Sequence, residues 1–125
     1  MKVTIHVPAA RATLGALSEG LTALNREILS RRTMPPLYSR AAGVRYKAEP
    51  RGRERWRTCD EVFGSGEGDC EDLAAWRAAE LQVRGEPARV VVIRSGPRRF
   101  HAIVRRGDGS YEDPSRILSK GRRVR

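Results

Sequence analysis

The chain has 125 residues, only two of them Cys, and a formal net charge of +10 from 25 basic and 15 acidic side chains. This length suits one domain spanning residues 1–125, with a modest core. The cysteine count excludes a disulfide-stapled scaffold, and no apolar run is long enough to span a membrane. A sequence pI near 10.9 attracts nucleic acid or acidic partners. The arginines are scattered, however, aromatics do not interleave with them, and no zinc-finger, ribonucleoprotein or helix-turn-helix signature is present.

Residues 2–7 alternate as a short strand, in which His6 reads as structural. The start is too short and polar in its apolar part for a signal peptide, which predicts a cytosolic, reducing compartment. Residues 9–31 read as an amphipathic helix, with Leu14, Leu17, Leu21, Leu24 and Ile28 at steps of three and four. Its end, Arg31-Arg32, suits the negative pole of a helix. Residues 33–55 are loops around Pro35-Pro36 and Glu49-Pro50-Arg51-Gly52, a segment suited to line a substrate groove or serve as a binding arm. A short helix is predicted over 57–64.

Gly66-Glu67-Gly68-Asp69 then forms a turn that stops at a helix start. Asp69 is the N-cap, Asp72 stands where a capping box wants an acidic or amide side chain, and Cys70 falls at the first helical position. Leu73, Ala74, Trp76, Ala78 and Leu81 continue at helical spacing until Gly85 and Pro87. Residues 88–94 are apolar and β-branched and read as a buried strand. Ser95-Gly96-Pro97 is a turn, and 100–105 is a second strand with His101 near its start. Asp108-Gly109 marks a hairpin, and Tyr111 begins a third strand that Pro114 cuts short. The tail after Leu118 is basic and frayed.

The chemistry lies in Cys70, His101 and Asp113. His101 follows Cys70 by 31 residues, and Asp113 follows His101 by 12. A thiolate is the reactive form of Cys, and a helix N-terminus and a nearby imidazolium both lower a thiol pKa. The Cys70 backbone N–H, unpaired at the helix start, is free to hold an oxyanion. Adjacent antiparallel strands bring His101 and Asp113 side by side, so that the carboxylate orients the imidazole. Cys59 is a bystander thiol, because a disulfide to Cys70 would block the nucleophile.

These residues resemble the transglutaminase-like cysteine peptidase superfamily, the broad papain-related group. The likeness covers residues 44–118, leaving 119–125 as a basic tail. It rests on Trp56-Arg57-Thr58 leading into Glu61-Val62, on Gly66-Glu67-Gly68-Asp69-Cys70-Glu71-Asp72-Leu73-Ala74, on Phe100-His101-Ala102 and on Glu112-Asp113-Pro114-Ser115. It implies an α+β, papain-like fold with the Cys at a helix N-terminus packed on a small antiparallel sheet. It further implies a Cys70–His101–Asp113 triad acting on a peptide or protein through a thioester, with no cofactor. Papain-like enzymes carry a Gln ahead of the Cys for the oxyanion. None stands here, so Tyr46 and Trp56 are the candidate donors, with Asp69 a groove candidate. Calcium-binding relatives use acids flanking the Cys, which makes Asp69 and Glu71 weak metal candidates that fall short of the six to eight oxygens calcium takes.

The chain is also similar to small transglutaminase-like proteins of tailed phages and prophages. That likeness implies a second class of function: a structural or assembly component of a phage particle, virion-associated, with its basic face touching nucleic acid. A third reading, transfer of the acyl group to an amine, differs from hydrolysis only in how well the site excludes water.

Overall fold

The computed structural model describes residues 2–5, 11–49, 54–97 and 99–120. His6, Arg51, Arg98 and the tail beyond Lys120 lie outside the described residues. The elements run β1 (Lys2–Ile5), α1 (Arg11–Arg31), β2 (Arg45–Tyr46), β3 (Glu54–Arg57), α2 (Cys59–Ser65), β4 (Glu67–Gly68), α3 (Cys70–Val83), β5 (Arg89–Gly96), β6 (Arg99–Arg105), β7 (Tyr111–Glu112) and α4 (Pro114–Lys120). The class is α+β. Among the described residues no helix is long and apolar enough to cross a membrane.

The central element is α3. Nine of its fourteen residues are buried, from Cys70 to Leu81, so it runs through the core and not along a surface. Alanines at 74, 75, 78 and 79 let neighbours approach closely, while Leu73, Trp76 and Leu81 fill the space between layers. One apolar cluster joins Leu14 and Leu21 of α1, Ala74, Ala75 and Ala78 of α3, and Val90, Val92, Ala102 and Val104 of the sheet. A second gathers Leu37, Val44, Cys59, Val62, Leu73, Trp76 and Leu118 on the other side of α3.

The face α1 buries keeps Leu14 and Leu21, with Leu17 and Ile28 packed against the core clusters, and departs from the leucine stripe at one position. Leu24 is 39% exposed, whereas Ser18, Thr22 and Asn25 are buried. Two of these make specific bonds: Thr22 donates to the Ser18 carbonyl at 2.7 Å, and Asn25 Oδ1 accepts the Cys59 backbone N–H at 2.7 Å, while the Ser18 hydroxyl and the Asn25 Nδ2 are buried without a partner. Asn25 thus supplies an acceptor to the exposed donors at the start of α2.

Among the described residues, three small sheets hold the frame. β1 pairs antiparallel with β3. β2 pairs parallel with β4, setting Tyr46 opposite Gly68. β5, β6 and β7 form an antiparallel sheet in that order, with Ile93 opposite His101 and Val104 opposite Glu112. β2, β3 and β4 were not foreseen: β2 and β4 have two residues each, too few for any alternation to be read, and β3 begins in the segment read as loop. The segment after Asp113 adds a helix where the sequence reading assigned no element. Pro114 does end the strand, but it also opens α4, since a proline is well suited to the first helical position. Leu118 is 2% exposed and packs into the second cluster, which holds α4 against the core.

Candidate active site

Each residue of the Cys70–His101–Asp113 set is positioned by a different element. Asp69 caps α3: its Oδ1 accepts the Asp72 N–H at 3.2 Å, and Asp72 Oδ2 accepts the Asp69 N–H at 3.3 Å. This reciprocal box makes Cys70 the first helical residue. Asp72 is fully buried, and it also accepts the Arg57 backbone N–H at 2.9 Å and lies 3.6 Å from the Arg57 guanidinium. The start of α3 is therefore bolted to β3. Burial and the adjacent Asp69 carboxylate push Asp72 up to about 9.

Gly68 sets the approach to Cys70. A Cβ there would meet Asp72 Cβ at 3.1 Å, Leu73 Cδ2 at 3.2 Å and Val62 Cγ1 at 3.3 Å. The contacts are tight enough that only glycine fits without movement.

His101 and Asp113 come together. His101 Nε2 lies 2.8 Å from Asp113 Oδ2, which leaves Nδ1 as the ring nitrogen for another partner. The second carboxylate oxygen, Oδ1, accepts the Ser115 hydroxyl at 2.8 Å and the Arg116 N–H at 3.3 Å at the start of α4. Burial works to raise the Asp113 pKa, but the hydrogen bonds from His101 and Ser115 outweigh it and hold the carboxyl below its usual range.

Cys70 does not join that pair by a hydrogen bond. Its thiol donates to Glu71 Oε2 at 2.8 Å. Burial, the Glu71 charge and hydrogen bond, and Asp69 drive the thiol pKa upward, against the pull of the Ala102 backbone. This corrects the expectation of an acidic thiol: desolvation and two neighbouring carboxylates outweigh the helix terminus. Ala102, the residue after His101, shares the apolar cluster of Cys70, and its backbone interacts with the thiol, so β6 passes beside the sulfur at this point.

The other candidates separate. Tyr46 is half-buried, and its hydroxyl pKa is raised by burial and then by Cys70, Asp69, Glu71 and Asp113, which puts the phenol within electrostatic reach of Cys70, its flanking acids and Asp113. The β2–β4 pairing is what brings it there. Trp56 is 3% exposed, and its Nε1 is buried without a hydrogen-bond partner, inside the core cluster. That placement corrects its reading as an oxyanion donor. Asp69 is a buried cap and not a groove residue. Among the described residues no group of three or more His, Cys, Asp or Glu is placed to hold a metal ion, and Asp69 and Glu71 are engaged with the cap and the thiol. The unforeseen participant is Glu71. An acid directly after a helix-entry Cys is its only signal in the sequence.

Comparison with protein-family models, with curated proteins and with solved structures finds no match to this chain.

Proposed function

We propose that this chain is a cysteine-dependent acyl transferase with a papain-like, transglutaminase-like arrangement, acting most simply as a peptide or amide hydrolase. The observation that carries the reading is the His101–Asp113 pair at 2.8 Å, with His101 on β6, a strand packed against the helix that begins at Cys70. A structural histidine has no need of a carboxylate divided between an imidazole and a helix cap.

In this mechanism the Cys70 side chain turns from Glu71 toward His101 Nδ1 and gives up its proton there. The thiolate attacks the substrate carbonyl carbon, and the oxygen takes the charge. The Cys70 N–H and the Tyr46 hydroxyl are the donors that suit that oxyanion. The intermediate collapses as the C–N bond breaks, and His101 returns its proton to the leaving amine. Water, deprotonated by His101, then cleaves the thioester to acid and free thiol. An amine in place of water gives transamidation. Asp113 orients the imidazole and stabilises its charged form.

The thiol–Glu71 hydrogen bond favours a second reading, a latent site on an assembly protein whose basic surface meets a partner. Acylation by p-nitrophenyl acetate distinguishes the two. The enzyme reading expects an acyl adduct on Cys70 by intact mass, turned over with time and absent in Cys70→Ala. An adduct that persists in Cys70→Ala, or none in the wild type, would sink it.

A further inference from the structure

The outer face of the β5–β6–β7 sheet carries a charged row that no chemistry at Cys70 uses. Val90, Val92, Ala102 and Val104 lie in the core with α1 and α3, so strand alternation turns Arg89 and Val91 of β5, Ile103 and Arg105 of β6 and Tyr111 of β7 the other way. The register sets Arg89 opposite Arg105, and Arg105 opposite Tyr111. Like charges directly opposite on paired strands destabilise a sheet, so folding gives no reason for the arginine pair. Both arginines are exposed, and neither makes a side-chain hydrogen bond or ion pair among the described residues. The neighbouring carboxylates are committed elsewhere: Glu112 to Arg77 and Arg106, Glu86 to Arg106, and Asp108 to Ser110. Tyr111 is 59% exposed.

We infer that this face binds single-stranded nucleic acid, with Arg89 and Arg105 on phosphates and Tyr111 stacked on a base. The row crosses three strands, about 10 Å at two interstrand spacings, the scale of one nucleotide and its neighbouring phosphate. Val91 and Ile103, half-buried beside it, give the sugar and base an apolar floor. Cations that track a backbone beside an aromatic platform are what single-strand binding without sequence preference uses. Along the chain the aromatics stay apart from the arginines, and strand register brings them together. A duplex hides its base faces, and an acidic protein has none, so a single strand is the occupant that engages the ring as well as both cations. The net charge of +10 adds long-range attraction. Binding here does not depend on Cys70.

Fluorescence anisotropy with a fluorescein-labelled oligothymidylate, across a salt series, tests this. The proteins are wild type, Arg89→Gln/Arg105→Gln, Tyr111→Leu and a charge-matched control, Arg40→Gln/Arg84→Gln, which removes two exposed arginines outside the sheet. The wild type is expected to bind the single strand more tightly than a duplex of the same length. Arg89→Gln/Arg105→Gln is expected to weaken binding at least about tenfold at low salt. It should also flatten the slope of log affinity against log salt by about 1.4, or about 0.7 for each phosphate contact. Tyr111→Leu is expected to cost about tenfold, within the range of one base stack, with the salt slope unchanged. A merely structural role would not split affinity from salt slope in this way. Melting temperatures should not fall in the arginine variant, since it relieves a like-charge pair.

No binding of the oligonucleotide by the wild type overturns the inference without recourse to any variant. A control that loses as much affinity and salt slope as Arg89→Gln/Arg105→Gln assigns binding to overall charge and overturns it. Equal affinity for duplex and single strand, with Tyr111→Leu matching the wild type, overturns it as well. Phosphatidylserine vesicles or polyglutamate that bind through the same two arginines, where the oligonucleotide does not, would reassign the face to a membrane or an acidic protein.

Discussion

His101 Nε2 and Asp113 Oδ2 stand 2.8 Å apart, while the other oxygen of the same carboxylate caps α4 through Ser115 and Arg116. One side chain thus fixes both the imidazole and the start of a helix. The two roles separate by mutation. Asp113→Asn keeps an oxygen for the cap but loses the charge that orients and stabilises the imidazolium. It is expected to slow acyl transfer by about 10²–10⁴-fold, the range for general acid–base catalysis, with little change in melting temperature. Asp113→Ala loses the cap as well and should cost about 1 kcal/mol more in stability. Paired kinetics and thermal melts check this, and equal activity in Asp113→Asn and wild type would refute it.

Gly68→Ala should injure the site more than its size suggests. The added methyl meets three side chains at 3.1–3.3 Å, two of them on the first turn of α3. Overpacking of this kind costs about 1–3 kcal/mol, and relief requires the Cys70 end of the helix to shift. The expected result is a lower denaturation midpoint with a disproportionate loss of acylation rate. A variant that is less stable but fully active would show that the helix start tolerates displacement.

Acid should weaken the hairpin that carries the site. Glu86 accepts from the Arg106 guanidinium at 2.6 and 2.8 Å and from the Gly107 N–H at 3.0 Å, and these bonds, led by Arg106, hold its carboxyl down to about 2. The folded pKa is depressed, so its stabilising contribution is fully present above the unfolded carboxylate value of about 4.3. It is lost as pH falls through about 2. Melting temperature should therefore fall across that window, and Glu86→Gln should flatten the fall. Parallel pH profiles for the two proteins would contradict the assignment.

Cys59 should be silent toward thiol reagents in the native state. It is fully buried, its sulfur lies 3.8 Å from Met34 Sδ, and burial pushes its thiol up to about 12. Ellman's reagent is expected to count it only after unfolding. Native labelling of Cys59 as fast as that of Cys70 would disprove this.

The helix entry was the most legible part of the sequence, because its signals are local. Asp69, Asp72 and Gly85 act within a turn or two of their own positions, and Asp108-Gly109 closes a hairpin whose register delivers His101. What escaped reading depends on distant partners. The parallel bridge that carries Tyr46 to Gly68 joins two-residue strands 22 positions apart. Asn25 reads as an interruption of a leucine stripe until Cys59 is seen to need its oxygen. Arg77 on α3 and Arg106 after β6 converge on Glu112, a network no spacing rule reveals. The thiol's direction escaped for another reason: Glu71, next to Cys70 at the helix start, offers the sulfur an acceptor, and only packing shows that the thiol takes it.

The most direct test of the central claim is the pH dependence of Cys70 alkylation by iodoacetamide, in wild type and His101→Ala, with Cys59→Ala as background. If the imidazole serves the thiol, wild type will alkylate faster than His101→Ala at every pH below the ordinary thiol range of about 8.5. Superimposable curves would mean that His101 does not act on Cys70, and the acyl-transfer account would fall.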